Sequence, residues 1–293
     1  MSSDTLSPSE SMGTLGIVGV GLLGGSIAAA AKKRVLAQRI IGIGRNAERL
    51  QRASDGGLLD SYSTELSQAA EECDVLVFCT PVNRIIEGVR TAAASCRSGT
   101  LITDVGSCKA GICQSLSAEL PSNVSFVGSH PIAGSEKQGF EHAKEELFSG
   151  SVCVVTPTAR QLEMPSFDAQ LSRTTRFWQA LGATVIQMSP EAHDLALAET
   201  SHLPHVVAAA LSRALDSENR QLAATGFRDT TRIAAGDPDL WLAILQDNRD
   251  AVLQSLARFR EQLDSFQESL QNRDVEGLKK LLEDAKTSRD GLN

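Results

Sequence analysis

No stretch of the 293-residue sequence approaches the run of about 20 apolar residues that a membrane helix requires, so no membrane-spanning helix is expected. Basic residues are in the minority. Against 36 Asp and Glu stand 28 Lys and Arg, and the net charge of −8 argues against a surface for nucleic acid or anionic lipid. The first residues lack a basic region followed by an apolar one, so they do not read as a secretory signal; a disordered tail over 1–12 and a cytoplasmic location are expected. The six cysteines, Cys73, Cys79, Cys96, Cys108, Cys113 and Cys153, contain no CxxC pair, and two of them sit inside apolar strand-like runs. That pattern excludes a disulfide framework and reads as reduced thiols. No Cys/His cluster has ligand spacing, so no metal is expected. Internal repeats and low-complexity segments beyond the tail are also missing.

What remains is a chain with 42% hydrophobic residues, long enough for two domains with substantial cores. Residues 14–18 form a short apolar strand that runs into Gly19-Val-Gly21-Leu22-Leu23-Gly24-Gly-Ser26 and then into an alanine-rich helix. Gly-x-Gly-x-x-Gly between a strand and a helix has a mechanism. The first glycine turns the chain, the second admits a pyrophosphate, and the third lets the helix pack on the sheet, with the phosphates at the helix N-terminus. Dinucleotide binding is therefore expected.

A second strand, 39–43, ends at Gly44-Arg45-Asn46, where an acid would otherwise accept hydrogen bonds from the ribose 2′-hydroxyl. Arg45 supplies a positive fork for a 2′-phosphate, which favours NADP, with NAD possible because Asn46 suits a free ribose. A solvated arginine at a turn is the plainer alternative.

Three more strands follow at crossover spacing: 74–81, ending in Thr80-Pro81; 99–107, ending in Gly-Ser107; and 124–127. Strands alternating with helices predict an α/β fold, a Rossmann-type doubly wound parallel sheet, in which ligands bind beyond the carboxyl ends of the strands. Residues 128–139, Gly-Ser-His-Pro-Ile-Ala-Gly-Ser-Glu-Lys-Gln-Gly, then place His130, Ser135, Glu136 and Lys137 on a glycine-broken loop at such an end. The glycine loop, Thr80-Pro81, Ser107 and His130 all converge there, which makes His130 a functional candidate. Two further strands, 151–155 and 183–187, flank a helix over about 168–181.

From about residue 191 the pattern is purely helical, giving a dinucleotide-binding domain over 13–190 and a helical substrate and dimerisation domain over 191–293. Residues 195–215 suit a buried central helix carrying Ser201-His202-Leu-Pro-His205. Asp237-Pro238 reads as an N-cap and first-turn proline. Val252, Leu256, Phe259, Leu263, Phe266 and Leu270 are spaced by 4, 3, 4, 3 and 4. Such a seam wants a partner helix, from a second subunit or the same domain, and a homodimer through the helical domain is expected. Arg228 and Arg232 lie in a segment dense in charge; they suit either salt bridges to Asp229 or Asp237, or a bidentate clamp for a carboxylate. His205 by itself reads as a satisfied core histidine, His142 and His193 as surface residues, and Trp241 as core packing.

Gly19-Val-Gly-Leu-Leu-Gly-Gly-Ser26, Asp104-Val-Gly-Ser-Cys-Lys109, Ser129-His-Pro-Ile-Ala-Gly-Ser-Glu-Lys137, Ser201-His-Leu-Pro-His205 and Arg228-Asp-Thr-Thr-Arg-Ile-Ala234 together resemble the prephenate/arogenate dehydrogenase family, in the family's order. The resemblance implies a Rossmann domain, a helical dimerisation domain, and oxidative decarboxylation of prephenate with NAD(P) on the tyrosine pathway. By resemblance His130 is the catalytic histidine and Ser107 the serine hydrogen-bonded to it. Ser135 and Glu136 are pocket residues, His202 and His205 belong to the histidine motif, and Arg232 is the substrate-carboxylate arginine. Gly44-Arg45 departs from the acid of NAD-using members. A minimal, monofunctional form is expected, with no chorismate-mutase segment before the nucleotide domain and no regulatory domain after the helices.

Arogenate dehydrogenase is the alternative, since a carboxylate such as Glu199 or Glu136 near the substrate's side chain would favour its ammonium. A β-hydroxyacid dehydrogenase would ask for a lysine on the first long helix of the second domain, and residues 195–215 contain none. A non-catalytic NADP-binding sensor leaves His130, Ser107 and the arginines unexplained.

Overall fold

The computed structural model describes residues 12–121, 123–135, 137–165 and 167–292. Its first part alternates β1 (Thr14–Val18), α1 (Leu22–Lys33), β2 (Arg39–Ile43), α2 (Ala47–Asp55), β3 (Ser61–Ser63), α3 (Leu66–Ala70), β4 (Val75–Phe78), α4 (Val82–Ala93), β5 (Leu101–Asp104), α5 (Ala110–Glu119) and β6 (Ser125–Pro131). It closes with β7 (Val152–Thr156), α6 (Ala159–Leu162), α7 (Phe167–Ala180) and β8 (Thr184–Gln187). The eight strands lie in the order β3-β2-β1-β4-β5-β6-β7-β8. The order reverses between β1 and β4, which opens a crevice at their carboxyl ends.

The sheet is buried on both faces, which explains why its central strands read as unbroken apolar runs. Val75 and Val77 enter one core with Leu15, Ile17 and Trp178, whereas Leu76 and Phe78 enter the other with Val18, Ile85 and Ile102. Met12 is buried in the first core and its N–H donates to the Leu36 carbonyl at 2.8 Å, so this residue packs with the sheet. The expected tail otherwise lies outside the described residues.

Two features correct the expectation of a uniformly parallel sheet. β7 runs antiparallel to β6, because the chain between them returns through a loop and one 3-10 turn, Phe140–His142, without a crossover helix. β6 also continues to Pro131 instead of ending at residue 127. Its first half pairs in parallel with β5, Thr103 against Val127, and its second half pairs with β7, His130 against Val154. Gly128 marks the change of partner: a Cβ there would lie 2.5 Å from Cys113 Sγ and 2.6 Å from Thr156 Oγ1. His130 thus sits on a strand overhanging the end of β5, not on the loop that follows.

The second part is helical: α8 (Pro190–Leu197), a π turn (Ala198–His202), α9 (Leu203–Ala214), α10 (Thr225–Thr231), a 3-10 turn (Arg232–Ala235), α11 (Pro238–Asp247), α12 (Arg249–Gln271) and α13 (Val275–Asp290). Asp237 caps α11 through Asp239 N and Leu240 N with Pro238 at its first turn. α11 docks on the nucleotide-binding layer, where Ile244 joins the second core and its carbonyl accepts from Cys108 Sγ at 3.5 Å.

The segment expected as a buried central helix is instead α8, the π turn and α9, and within α9 only His205 and Ala208 are buried. Along the α12 seam Val252 is buried, but Leu263 and Leu270 are 51% and 63% exposed. One chain alone therefore leaves an apolar stripe uncovered. Among the described residues, no helix is long and apolar enough to cross a membrane.

Candidate active site

The strand ends build the first wall. Gly19 follows β1 with φ of +96°, and a Cβ there would lie 2.7 Å from the Cys79 carbonyl. A Cβ on Gly24 would lie 2.3 Å from the Gly19 carbonyl, while Gly21 faces open space. The N–H groups of Leu22, Leu23 and Gly24 form the first turn of α1, which no side chain caps. An uncapped helix N-terminus behind an unobstructed glycine attracts a phosphate. Thr80 follows β4, its Oγ1 buried without a hydrogen-bond partner, and Pro81 starts α4 beside it. The cradle and the orphaned hydroxyl fit a dinucleotide.

Past β2, Arg45 is exposed and makes no ion pair among the described residues. Arg49 stands four residues on, its Nε buried without a partner. Asn46, a candidate for a free ribose, is engaged as the cap of α2, its Oδ1 accepting from Arg49 N at 2.9 Å. A cleft beside them is lined by Asn46, Arg49, Arg52, Gln138 and Gly139.

His130 projects from the overhanging end of β6. Its Nδ1 lies 2.9 Å from His193 Nε2, and His193 Nδ1 lies 2.7 Å from Asp194 Oδ1. Burial, then His193, Lys109 and His202, hold the His130 pKa well below its ordinary value, so the ring is a neutral imidazole at pH 7. Ser107 lies in the loop after β5 and is half-buried, but among the described residues it makes no hydrogen bond with His130. That expected contact is corrected: β6 remains a strand through residue 131 and turns the His130 Nδ1 towards α8.

Directly below, Asp104 and Lys109 form a fully buried ion pair. Asp104 also accepts from Gly106 N at 2.9 Å and Ser129 N at 3.1 Å, tying the Ser107 loop to the His130 strand.

The helical wall supplies the other candidates. The π turn brings His202 inward, where its Nδ1 meets Asn248 Nδ2 at 3.0 Å and burial lowers its pKa to about 4. Such turns inside helices recur at functional sites. Since Asn248 Nδ2 donates, the neutral ring carries its proton on Nε2. His205 stacks on Trp241 with ring centroids 3.5 Å apart, yet its Nδ1 is buried without a partner, so it is not the satisfied core histidine that the bare sequence suggests. Gly236 lies against both rings, its hypothetical Cβ 2.5 Å from Trp241 Nε1. Arg232, in the turn packed beside α9, is exposed, and among the described residues neither it nor Arg228 pairs with an acid. The salt-bridge alternative is thereby removed for Asp229 and Asp237; Arg228 Nε donates instead to the Ala223 carbonyl at 3.1 Å.

The loop after β6 is less informative. Ser135 is exposed and its Oγ accepts from Lys137 N at 3.2 Å. Glu136 lies outside the described residues. Gln138 fastens the loop to the helical part through Asp237, Nε2 to Oδ2 at 2.6 Å. Glu199, the other carboxylate considered near the substrate, is exposed and paired with Arg258.

Asp194 and Asn248 were not singled out in the sequence, and His193 was expected on the surface. His193 is fully buried, not on the surface. The only local signal was Ser189-Pro190, a cap and first-turn proline that places a His-Asp pair on the first turns of α8. All six cysteines are free, and burial raises the Cys73 and Cys113 thiols to about 12, so they are not nucleophiles at neutral pH. Among the described residues no group of three His, Cys, Asp or Glu could hold a metal ion.

Fold and site together define a nicotinamide-dependent oxidoreductase with a Rossmann layer and a helical partner. The nucleotide-binding domain profile of prephenate dehydrogenase matches residues 27–187, and the dimerization domain profile of the same family matches 189–284. Prephenate dehydrogenase of Bacillus subtilis is 36% identical over 95% of this chain and 76% of its own length. The crystal structure of prephenate dehydrogenase from Aquifex aeolicus, in complex with hydroxyphenyl propionate and NAD+, superposes with a TM-score of 0.89 at 31% identity, covering 97% of this chain and 99% of that one. Synechocystis arogenate dehydrogenase superposes with a TM-score of 0.81 at 32% identity, covering 96% and 100%. The chain belongs to the prephenate dehydrogenase family.

Proposed function

We propose that the protein oxidatively decarboxylates prephenate to 4-hydroxyphenylpyruvate, with NADP as the preferred cofactor, in tyrosine biosynthesis. The observation that carries this reading is a neutral His130 at the carboxyl end of the sheet, beside a helical part that brings His193 and His202 to it and carries an exposed Arg232 with no ion pair among the described residues. Residues Gly19 to Gly24 and Thr80 would hold the dinucleotide, whose nicotinamide supplies the acceptor for the hydride from the substrate's carbinol carbon. His130 takes the proton of the adjacent hydroxyl on Nε2, a contribution of about 10²–10⁴-fold. Ser107, at the neighbouring strand end, orients the hydroxyl. Arg232 grips a substrate carboxylate, and His202 and His205, both neutral, offer hydrogen bonds without adding charge. The ring carboxylate then leaves as carbon dioxide because the ring becomes aromatic, so the remaining task of the protein is positioning. Ser135 and Glu136 are assigned to the rim of this pocket.

The arogenate reading needs a carboxylate for the side-chain ammonium. Pairing of Glu199 with Arg258 on the exposed face takes away one of its two candidates and favours prephenate. Purified protein assayed for reduced nicotinamide, with prephenate or arogenate crossed against NADP or NAD, is expected to be fastest with prephenate and NADP. Silence with every pair would overturn the proposal.

For the cofactor, Arg45 and Arg49 are proposed to grip the 2′-phosphate. Replacing both with alanine is expected to weaken binding of 2′-phosphorylated ADP-ribose by about 10- to 100-fold, as loss of charge-assisted hydrogen bonds does. ADP-ribose should bind unchanged; equal losses for both ligands would remove the arginines from this role.

The division at residues 190/191 is proposed to separate nucleotide binding from substrate binding and dimerisation, in a cytoplasmic homodimer. The uncovered α12 stripe supports the dimer, and Leu263→Glu is expected to shift sedimentation towards monomer. A mass unchanged by that substitution would place the interface elsewhere.

A further inference from the structure

The three-residue chain behind His130 has a direction. Asp194 Oδ1 accepts from Lys109 N at 2.7 Å and Oδ2 accepts from Ala110 N at 2.8 Å, so the carboxylate closes the N-terminus of α5. Two backbone donors, one to each oxygen at the positive end of the helix, orient it as an acceptor. The third contact, His193 Nδ1 at 2.7 Å from Oδ1, must then be a donated N–H. In the neutral ring this leaves Nε2 of His193 as a lone pair, and the atom it faces at 2.9 Å is His130 Nδ1. That nitrogen must therefore carry a hydrogen, which leaves His130 Nε2 as the free lone pair.

We propose that Asp194 and His193 are positioning residues that set the tautomer of His130, so that Nε2 is presented to the substrate hydroxyl as a proton acceptor. The device links the two halves of the molecule. Asp194 and His193 ride on α8, the first helix after the sheet, whereas α5 and His130 belong to the nucleotide-binding layer. The same carboxylate that orients the imidazole also pins the start of α5, three residues beyond Ser107. Both sides of the proposed reacting centre are thus registered by one buried side chain. Asn248 holds the backbone from which it acts, its Nδ2 donating to the Asp194 carbonyl oxygen at 2.7 Å. His193 and Asp194 have almost no contact with solvent, so water does not compete for these bonds.

The inference rests on the proposed role of His130 but is read independently of it. In protein labelled with ¹⁵N-histidine, the His130 signals, assigned by their loss in His130→Asn, are expected to show a protonated Nδ1 and a bare Nε2 at pH 7.5. Asp194→Ala removes the acceptor of the His193 Nδ1–H, so His193 is free to carry its proton on Nε2. In that form it points a hydrogen at His130 Nδ1, and His130 is no longer held in one tautomer. The expected readout is loss of the single His130 tautomer together with a fall in kcat of about 10²–10⁴-fold, the range for loss of a carboxylate that orients a catalytic histidine, at a KM within about threefold of the parent. His193→Gln, whose amide oxygen still accepts from His130, is expected to retain more activity than His193→Phe. A protonated His130 Nε2 in the parent protein would overturn the proposal. So would a single, unchanged His130 tautomer in folded Asp194→Ala, or an unaltered kcat in His193→Phe. If none of the substrate and cofactor pairs turns over while the tautomer is as stated, the proposed reaction fails and the positioning device stands.

Discussion

Turnover is expected to fall by about 10²–10⁴-fold when His130 is replaced by asparagine, the range that a positioned general base contributes. Asparagine is the informative replacement because its amide nitrogen occupies the place of Nδ1 and can still donate to His193 Nε2. The strand pairing of residue 130 with Val154 uses main chain only, so β6 is undisturbed. What the variant lacks is the second ring nitrogen and its lone pair. Substrate and cofactor affinity should therefore change little, and kcat should carry the loss. A variant that keeps kcat within tenfold would remove the imidazole from proton transfer.

The same residue predicts a pH profile. Burial, reinforced by His193, Lys109 and His202, depresses the His130 pKa well below the ordinary histidine value. The neutral ring is the active form, and a depressed pKa keeps it neutral as pH falls through 6.5. kcat/KM for the free enzyme should stay level through that region and decline only at more acid pH. An acid limb centred near 6.5 in the parent enzyme, absent in His130→Asn, would contradict this placement.

Much of the fold was legible because it is written in local periodicity. Runs such as residues 75–78 are apolar at every position because both sheet faces are covered, and the glycine loop states its own geometry through three positions where a side chain has no room or would obstruct a ligand. The antiparallel β7 was not legible. Nothing in residues 132–151 announces a return without a helix except the lack of helical periodicity, and an irregular loop is compatible with either strand direction. The extension of β6 to Pro131 was hidden for a related reason, since Gly128, Ser129, His130 and Pro131 look like a turn by composition. Only the Val154 and Thr156 edge makes them a strand.

The site divides in the same way. Residues carried by motifs, such as Gly24, His130, His205 and Arg232, could be named as candidates one by one. Their relations were not. Ser107 was expected to hold His130, but the contact belongs to His193, which is 63 residues away in the chain and looked like a surface residue. A hydrogen bond between distant elements leaves no periodic trace in one sequence. The π turn at Ala198–His202 is equally silent, although it decides which face of the helix His202 occupies. Where a residue's role depends only on its own backbone, sequence reading is sufficient; where it depends on which element packs behind it, coordinates are required.

Arg232→Ala is expected to raise KM for substrate by about 10- to 150-fold, the effect of losing a charge-assisted hydrogen-bonded partner, with kcat falling much less. The guanidinium makes no ion pair among the described residues, so no internal salt bridge is broken and stability should be nearly unchanged. Arg232→Lys restores the charge but not the planar fork, and an intermediate KM is expected. The product distinguishes which carboxylate is held. 4-Hydroxyphenylpyruvate has lost the ring carboxylate and kept the one on its side chain. If Arg232 grips the ring carboxylate, inhibition by product is unaffected in Arg232→Ala while KM for substrate rises; if it grips the side chain, both weaken together. An unaltered KM would take Arg232 out of the pocket and leave His205, with its buried and unpartnered Nδ1, as the first residue to test for substrate contact on the helical wall.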